Sequence, residues 1–434
     1  MALYSLPFGK SFQQLDISED YPQKWIAPPA LEPASDPLEL VKQALQAPLS
    51  LSPEKNNFWA SVFQNQKVAI AINDKTRPVP NHLLLPPLLE QLRSIGIPRQ
   101  QISIWVATGS HLPMTTEEFF SILPLSIVEQ YPVFSHNIED KENLIYLGTT
   151  SRGTPVWVNR QFYQADLKIV VGDIEPHHFA GFSGGYKTAA IGLAGWPTIN
   201  ANHALLTHPD AWIGKFEKNP LRQDIEEIGS RIGVHLAVNA ILNHDKKIVR
   251  VFAGHPEAII REGITASRAL WGVDCPELFD LVIASAGGYP KDINFYQAQK
   301  AITHASMFCK PGGTIVLLAE CSEGIGSTAY EQFMEGKQSI HEIYSHFQTL
   351  GFQVGPHKAY QVARLLEKFN IILVSNIDEK RVQRLLLQSA PNIQIAFQNV
   401  LKSYPFSPKI GILPHATTTL VFHQSTDCSP SGPE

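Results

Sequence analysis

Short runs of consecutive apolar residues recur along the chain, each followed by a polar loop and then by a segment with helical spacing. In the first half these runs lie at 67–72, 102–107 and 168–171. An uninterrupted apolar run of this length is typical of a strand that is buried on both faces of a sheet. Strands that alternate with helices predict an α/β fold, with mostly parallel sheets covered by helices.

The same rhythm returns in the second half, with apolar runs at 280–285, 314–319 and 370–375. Apolar residues at helical spacing predict helices between the strands. The clearest helical segments of the whole chain are at 36–47, 82–95, 115–122 and 294–308.

The chain is long enough for two hydrophobic cores, because single cores seldom extend over 434 residues. We predict an N-terminal domain at 1–270 and a C-terminal α/β domain at 274–405. The segment 409–423 is expected to return to the N-terminal domain as a last strand. The polar tail at 424–434 is expected to be disordered.

Composition and charge favour a soluble globular protein, with 44% hydrophobic and 17% charged residues. The net charge is -5 and the basic residues are dispersed, so nucleic acid is not an expected partner. No uncharged apolar stretch is long enough to cross a membrane. The four cysteines form no C-x-x-C pair, which argues against a thiolate zinc site and fits a reducing compartment. We therefore expect a cytoplasmic protein.

Polar loops directly follow the first two apolar runs. The first contains Asp74, Lys75, Thr76 and Arg77. A turn explains Asp and the following proline, whereas two cations and a hydroxyl group also suit a phosphate or a carboxylate. The second loop contains His111, to which we assign an acid–base role, although a histidine at a strand end is often only structural.

The third loop is the richest in chemistry, since His177, His178, Lys187 and His203 surround the glycine-rich stretch GFSGGYK. Imidazoles ligate metals or move protons, and an amine can attach a group covalently. Tyr186 occupies the position before the lysine where a phosphate-binding P-loop requires glycine. The H-E-x-x-H signature of a zinc hydrolase is absent from this loop. A polar surface loop is the remaining alternative, and the cluster favours a cofactor site.

A fourth polar loop, GGYPKD at 287–292, precedes Tyr296, Gln297 and Lys300. Gln297 and Lys300 are three residues apart and share a helix face, with Tyr296 beside them. A solvated helix start is the alternative. Ligands of open α/β sheets bind beyond the carboxyl ends of strands, so we expect all four loops to meet in a cleft between the domains.

Together the four motifs resemble the nickel-pincer lactate racemase family of 2-hydroxy-acid racemases and epimerases. The similarity extends from DKTRP through GSH, HHFAGFSGGYK and NANH to GGYPKD and YQAQK, in matching order and spacing. The resemblance implies an isomerase with two α/β domains, an N-terminal domain that binds the cofactor and carries out catalysis, and an active site in the interdomain cleft. It also implies reversible hydride transfer with a small 2-hydroxy acid as substrate.

The cofactor implied by the resemblance is a nickel-pincer nucleotide, derived from nicotinic acid mononucleotide and made by separate cofactor-synthesis enzymes. Lys187 matches the lysine that attaches it covalently, and His203 matches the histidine that ligates nickel. Sulfur ligands with one imidazole suit Ni(II). The other expected cofactor contacts are Asp74, Thr76, Phe179, Phe182, Ser183, Gly184 and Gly185.

The two catalytic histidines of the family match His111 and His177. Two bases are needed because the enantiomers present their hydroxyl groups to opposite sides of one bound carboxylate. The substrate-binding residues implied by the resemblance are Arg77, Tyr296, Gln297 and Lys300, and His178 has no assigned role.

One segment departs from the family pattern, with Tyr360 where many members have tryptophan. This departure weakens the expectation of plain lactate specificity. We hypothesise that His357 or Lys358 meets a second carboxylate, as in malate. Two other classes stay open, namely a non-catalytic nucleotide- or metal-binding protein of the same fold and a metal-dependent hydrolase.

Overall fold

The computed structural model describes residues 1–51 and 58–422. The chain forms two compact units. The first unit is Ala30–Ala269, and the second unit combines Met1–Pro29 with the described residues from Leu270 onward.

Strands of the described residues agree well with the apolar runs. The run at 102–107 is a strand with those bounds, and four of the other five runs differ from their strands by no more than two residues at either end. The strand at 314–319 begins earlier than expected, at Cys309. In chain order the strands are β1 (Ala2–Phe8), β2 (Ser11–Ile17), β3 (Gln23–Trp25), β4 (Val68–Asn73), β5 (Ile102–Ala107), β6 (Val133–Ser135), β7 (Leu144–Thr149), β8 (Pro155–Asn159), β9 (Leu167–Asp173), β10 (Pro176–His177), β11 (Gly181–Phe182), β12 (Leu236–Leu242), β13 (Ile248–Gly254), β14 (Phe279–Ser285), β15 (Cys309–Leu318), β16 (Asn370–Val374), β17 (Gln388–Ala390) and β18 (Ile410–Leu413).

Helices connect most of these strands. The expected helices at 36–47 and 82–95 are present within one residue, whereas the one at 115–122 is shorter and the one at 294–308 is divided at Gln299. In chain order the α-helices of the described residues are α1 (Pro37–Gln46), α2 (Asn81–Ser94), α3 (Thr116–Phe119), α4 (Leu125–Gln130), α5 (Arg160–Tyr163), α6 (Lys187–Ala190), α7 (Trp196–Ala204), α8 (Pro220–Ile232), α9 (Pro256–Trp271), α10 (Phe295–Ala298), α11 (Lys300–Ser306), α12 (Thr328–Met334), α13 (Ile340–Leu350), α14 (Pro356–Leu366), α15 (Glu379–Arg384) and α16 (Ile393–Ser403).

A six-stranded sheet in the order β13-β12-β9-β4-β5-β6 forms the centre of the first unit. All neighbouring strands are parallel except β12 and β13. On one face, Ile70 and Ile104 pack with Leu85 and Leu88 of α2 in a fully buried core. Each such side chain stabilises the fold by about 1.5–3 kcal/mol through burial.

Strand order decides where the polar loops of the first unit lie. Strand β4 is paired in parallel with β5 on one side and with β9 on the other. The loops that follow these three strands therefore leave the same edge of the sheet. They carry three of the four polar motifs, as the strand pattern predicts.

The second unit contains an all-parallel sheet in the order β17-β16-β15-β14-β18-β3. The expectation that 409–423 returns to the N-terminal domain is wrong, because β18 pairs with β14 and β3. A short apolar strand can extend either sheet, so its sequence does not identify its partner. The tail at 424–434 lies outside the described residues.

The N-terminal segment belongs to the second unit, which corrects the predicted domain at 1–270. Strands β1 and β2 form an antiparallel hairpin, and β3 extends the parallel sheet. Leu6 and Leu15 of the hairpin are fully buried in the same core as Leu281 of β14. Weak periodicity and many prolines conceal these strands in the sequence.

The described residues include no helix that is both long and apolar enough to cross a membrane.

Candidate active site

A cavity opens at the carboxyl edge of the first unit's sheet, with about 710 Å³ of empty space including its mouth. Nine of the residues that the sequence assigned to cofactor, metal, substrate or catalysis line it: Asp74, Arg77, His111, His177, Phe179, Ser183, Gly184, Lys187 and His203.

Asp74 anchors His111, the first of the two histidines predicted to be catalytic. Its Oδ2 lies 2.6 Å from Nδ1 of His111, and its Oδ1 accepts hydrogen bonds from the hydroxyl and the N–H of Thr76. Burial would raise the pKa of Asp74, but the bonds from His111 and Thr76 outweigh burial and lower it. Asp74 therefore remains a carboxylate that orients the imidazole of His111.

These bonds place Asp74 and Thr76, which we predicted to contact the cofactor, in contact with His111. Both are bonded to each other and lie against His111, since the Thr76 hydroxyl is also 3.3 Å from Nδ1 of His111. Asp74 lines the cavity and Thr76 does not. The sequence could not separate a ligand contact from a contact to a neighbouring loop.

His177, the second histidine predicted to be catalytic, lies in the short hairpin formed by β10 and β11. Its Nδ1 accepts a hydrogen bond of 3.3 Å from the N–H of Ala180. The rings of His177 and Phe179 pack in a T-shaped arrangement with their centroids 4.8 Å apart. The rings of Phe179 and His203 pack in the same way at 5.3 Å. Burial, followed by the charges of Lys187 and Arg77, lowers the pKa of His177 well below its usual value, so the imidazole is neutral.

Lys187 begins α6 directly after the glycine-rich stretch. Burial, followed by the charges of Arg77 and Arg222, lowers the pKa of Lys187 to about 7. A lysine with such a pKa is largely neutral just above pH 7, and a neutral amine is a nucleophile. The structure thus gives the predicted attachment residue the chemical state that attachment requires.

His203 lies in the last turn of α7, and its Nδ1 is 3.1 Å from Oδ1 of Asn202. A bond donated from Nδ1 puts the lone pair of the neutral ring on Nε2, the nitrogen that would then ligate a metal. Burial, followed by the charges of Lys187 and Arg77, lowers the pKa of His203 to about 3. The neutral imidazole suits metal ligation.

Besides Thr76, two of the expected cofactor contacts do not line the cavity. Phe182 is fully buried, and its ring faces the guanidinium group of Arg268 at 5.7 Å. Gly185 donates its N–H to Oδ1 of Asn239 at 2.7 Å. Of the two phenylalanines among the expected cofactor contacts, only Phe179 lines the cavity.

Glycine is required at position 184 for two reasons. Its φ of +82° is left-handed, and a Cβ there would lie 2.6 Å from Cγ1 of Ile174. Ser183 fixes the same turn through its hydroxyl, which donates 3.0 Å to the carbonyl oxygen of Asp173. The backbone can therefore approach the cavity closely at this point.

Sequence reasoning missed several buried polar residues around this loop. Burial, followed by the charge of Glu175, raises the pKa of Asp173 to about 7. Arg222 and Asn239 are fully buried and bond to the loop backbone. Asp173 ends a strand before the histidine loop, which was a usable signal, whereas an arginine in an amphipathic helix ordinarily faces water.

The predicted substrate residues of the second unit form their own cluster. Lys300 donates to Oε1 of Gln297 at 2.7 Å, and Lys358 lies 6.0 Å from the ring centroid of Tyr296. Asn294 caps α10 by accepting from the N–H of Gln297. Their approach to a substrate held in the first unit stays a prediction.

The segment that departs from the family pattern lies in α14. Tyr360 packs against Tyr344 and Phe347, at 5.0 and 4.8 Å between ring centroids. Nδ1 of His357 is 3.1 Å from the carbonyl oxygen of Gln353. Of the three residues singled out in this segment, Lys358 is the one placed beside a predicted substrate residue.

No cluster of three His, Cys, Asp or Glu side chains suited to hold a metal by themselves is found at 1–51 and 58–422. This is the arrangement that a zinc hydrolase would require.

Comparison with known proteins identifies the family. Residues 8–214 match the family described as the lactate racemase N-terminal domain, and residues 276–421 match the lactate racemase C-terminal domain. A lactate racemase of Lactiplantibacillus plantarum is 32% identical over 363 residues, which are 82% of this chain and 84% of that protein. The chain belongs to the lactate racemase family. It is accordingly an isomerase, as the motifs predicted.

Other relatives agree with this assignment. A lactate racemase of Thermoanaerobacterium thermosaccharolyticum is 28% identical over 430 residues, covering 97% of this chain and 99% of that protein. The structure of the lactate racemase apoprotein from the same organism matches with a TM-score of 0.86 at 27% identity, over 97% of this chain and 100% of that one. The two-domain α/β fold is thereby confirmed.

A protein from Thermotoga maritima matches with a TM-score of 0.61 at 17% identity, covering 89% of this chain and 98% of that one. At this identity the match concerns the fold alone.

Proposed function

We propose that this protein racemises lactate or a related small 2-hydroxy acid, using a nickel-pincer nucleotide attached covalently to Lys187. The observation that carries the proposal is the convergence of His111, His177, Lys187 and His203 on one cavity. They come from four places in the chain: the loop after β5, the hairpin of β10 and β11, the start of α6 and the last turn of α7. Their shared cavity supports a common chemical task.

The residues present fit the proposed cofactor. A lysine with a pKa of about 7 can be acylated under neutral conditions, and a neutral His203 can supply one metal ligand. Phe179 offers an aromatic ring at the cavity wall. When bound, the cofactor supplies a metal-supported carbon centre that accepts and returns hydride.

Hydrogen bonds to the two histidines support complementary roles in proton transfer. Nδ1 of His111 donates to Asp74, so its Nε2 can accept the proton of the substrate hydroxyl. Nδ1 of His177 accepts from Ala180, so Nε2 is the nitrogen available for proton exchange, and His177 acts as the acid in its imidazolium form, which returns to the neutral ring when the proton passes to the substrate oxygen. One histidine thus acts as base and the other as acid, and the roles are exchanged for the opposite enantiomer.

Arg77 is the cation at the cavity wall that we propose to bind the substrate carboxylate. A guanidinium group can bind a carboxylate through two parallel hydrogen bonds. Tyr296, Gln297 and Lys300 of the second unit would complete this clamp. A fixed carboxylate holds Cα in place while the configuration at Cα is inverted.

The experiment is chiral chromatography of single enantiomers incubated with enzyme produced together with cofactor-synthesis enzymes. Lactate, malate and longer 2-hydroxy acids are compared side by side. We expect interconversion of at least one of them. No interconversion of any member, by a protein shown to carry nickel and an adduct, would refute the proposal.

Intact mass and elemental analysis separate this function from its alternatives. A covalent adduct that is absent in Lys187→Ala, together with nickel, supports the racemase. Zinc without an adduct favours a hydrolase. A nickel-loaded protein that leaves all enantiomers unchanged favours a non-catalytic binding protein.

A further inference from the structure

We infer that Arg222 is a positioning residue for Lys187, because it clamps the glycine-rich loop from which the lysine projects. The inference rests on the proposed role of Lys187 as the attachment point of the cofactor. It concerns how the chain prepares that amine, and neither the sequence motifs nor the family comparison assigns Arg222 a role.

Arg222 holds the loop by its backbone carbonyl groups. Its Nη1 donates to the carbonyl oxygen of Phe182 at 2.9 Å and its Nη2 donates to that of Gly184 at 3.0 Å. The planar guanidinium fork suits two acceptors at once, which an ammonium group cannot match. The side chain is fully buried, so water cannot replace these bonds.

The clamp connects directly to Lys187. The carbonyl oxygen of Gly184 that Arg222 holds also accepts the backbone N–H of Lys187, at 3.3 Å. A Cβ at Gly185 would lie 3.2 Å from Nη2 of Arg222, so the loop passes close to the guanidinium group. Moving Arg222 would therefore move the start of α6, where Lys187 lies.

Arg222 is itself fixed from behind. Its Nη2 forms an ion pair of 2.5 Å with Oε1 of Glu226, one turn further along α8, and its guanidinium group lies 5.4 Å from the ring centroid of Phe216. Asn219 and Pro220 begin the helix, and Oδ1 of Asn219 caps it by accepting from the N–H of Arg222. The helix thus presents the fork in one orientation.

Neighbouring side chains hold the two ends of the same loop. Nδ2 of Asn219 donates to the carbonyl oxygen of Phe179 at 2.8 Å, and Oδ1 of Asn239 accepts from the N–H of Gly185 at 2.7 Å. Arg222 holds the middle of the loop. It is the one of these three side chains that also carries charge, and that charge contributes to the low pKa of Lys187.

A purely structural arginine would stabilise the fold without changing the amine. The groups whose charges act on the amine of Lys187 are Arg77, Arg222, Asp173 and Glu175, and it acts in turn on His177 and His203. If Arg222 positions the lysine, losing the fork lets the amine reach water. The amine then regains protons, so its titration midpoint rises.

The test uses Arg222→Lys and Arg222→Met in the full-length apoprotein. Acetylation of Lys187 by N-hydroxysuccinimide acetate is followed by peptide mass spectrometry from pH 6 to 10, with the exposed Lys42 as internal reference. In the parent protein we expect a midpoint of about 7. Arg222→Lys keeps the charge and loses the fork, so a rise in midpoint that makes Lys187 about tenfold less reactive at neutral pH supports the clamp.

Arg231→Lys is the matched control, because Arg231 lies on the same helix and forms an i,i+4 ion pair with Glu227 at the surface. It should leave the midpoint unchanged. The inference is overturned if Arg222→Lys and Arg222→Met both fold and both keep the parent midpoint. A rise in Arg222→Met alone would reduce the role of Arg222 to its charge and would also overturn the clamp.

Glu226→Gln provides a second variant if the arginine substitutions do not fold. It leaves Arg222 in place but weakens the group that orients the fork, so we expect a smaller rise in the same direction. An unchanged midpoint in folded Glu226→Gln would count against the clamp. Because the readout needs neither cofactor nor substrate, its failure is distinguishable from failure of the proposed racemase activity.

Discussion

Two of the four loops that carry predicted site residues, those after β9 and β14, are held in place by opposite chemistry. The loop after β9 in the first unit turns carbonyl groups inward, and the buried cation Arg222 donates to them. The loop after β14 in the second unit is held by the buried carboxylate of Asp292, whose Oδ2 accepts from the N–H groups of Gly9 and Glu320, at 2.7 and 3.1 Å. A loop that buries carbonyl groups needs a donor, and a loop that meets N–H groups needs an acceptor.

The comparison also explains why the N-terminal hairpin belongs to the second unit. Gly9 lies in the turn of the hairpin, 283 residues from Asp292, and its carbonyl oxygen accepts from the N–H of Tyr289. Arg222, by contrast, is only 38 residues from Gly184. The first loop is therefore held by a helix that follows it within the same unit, and the second by the beginning of the chain.

The first loop is expected to serve chemistry, so the largest effects should come from its cavity. His111→Ala and His177→Ala should each lower racemisation by up to about 10⁴-fold, because each removes one acid–base group. Oxidation of the Cα-deuterated substrate to its 2-keto acid, which is the first half of the reaction, should persist from one enantiomer only, and that enantiomer should differ between the two variants. Chiral and isotopic analysis of loaded enzyme measures both.

Normal racemisation by both variants would contradict the two-base scheme. His208→Ala is a suitable control, since His208 lies in the same unit and does not line the cavity.

The low pKa of Lys187 should make the stability of the apoprotein depend on pH. The pKa is about 7 in the folded protein and 10.5 for an ordinary lysine, so the unfolded chain binds more protons between these values. The free energy of unfolding should therefore rise between pH 7 and pH 10.5, by at most about 5 kcal/mol. Urea denaturation of parent protein and Lys187→Met at several pH values measures the difference.

At pH 7, Lys187→Met should have a larger free energy of unfolding than the parent protein. This difference in free energy should shrink as pH rises. An advantage that is the same at every pH would show that the amine is not perturbed by folding.

Loss of the carboxylate in the second loop should affect stability more than chemistry. Asp292→Ala leaves the N–H groups of Gly9 and Glu320 without an acceptor and should lower the free energy of unfolding by about 3 kcal/mol. Asp292→Asn keeps an acceptor and should cost less. Denaturation curves measure both, and equal costs for the two variants would contradict the role of Oδ2 as a shared acceptor.

The smallest expected effect concerns substrate choice in the second unit. Lys358 lies beside Tyr296, so Lys358→Met should lower kcat/KM for a dicarboxylate such as malate about tenfold relative to lactate, the loss of one ionic contact. Lys402→Met, an exposed substitution in the same unit, is the control. An unchanged malate-to-lactate ratio would remove Lys358 from the account of specificity.

The sequence predicted the parts of this protein whose signal is local. Strands such as β4 are almost entirely apolar because both faces are buried, and polar residues after them must lie at the edge of the sheet. A local sequence pattern does not show which distant residues an element will contact. The pairing of β18 with β14, the hairpin of β1 and β2, and the burial of Arg222 all depend on tertiary contacts.

Within the candidate site, the sequence identified residue types better than partners. The aspartate of GGYPKD was singled out with its motif, yet its buried bond to Gly9 could not be read from it. Asp74 and Thr76 were assigned to a ligand, and the structure places both against His111, while their contact with a ligand stays a prediction. Polar residues in one loop can serve the ligand or one another, and only the three-dimensional arrangement distinguishes these uses.

Peptide mass mapping of protein produced together with cofactor-synthesis enzymes tests the central claim most directly. The account predicts a nucleotide-derived adduct on Lys187, with nickel present in the intact protein and lost in His203→Ala. An unmodified Lys187 in protein that racemises a 2-hydroxy acid would contradict it.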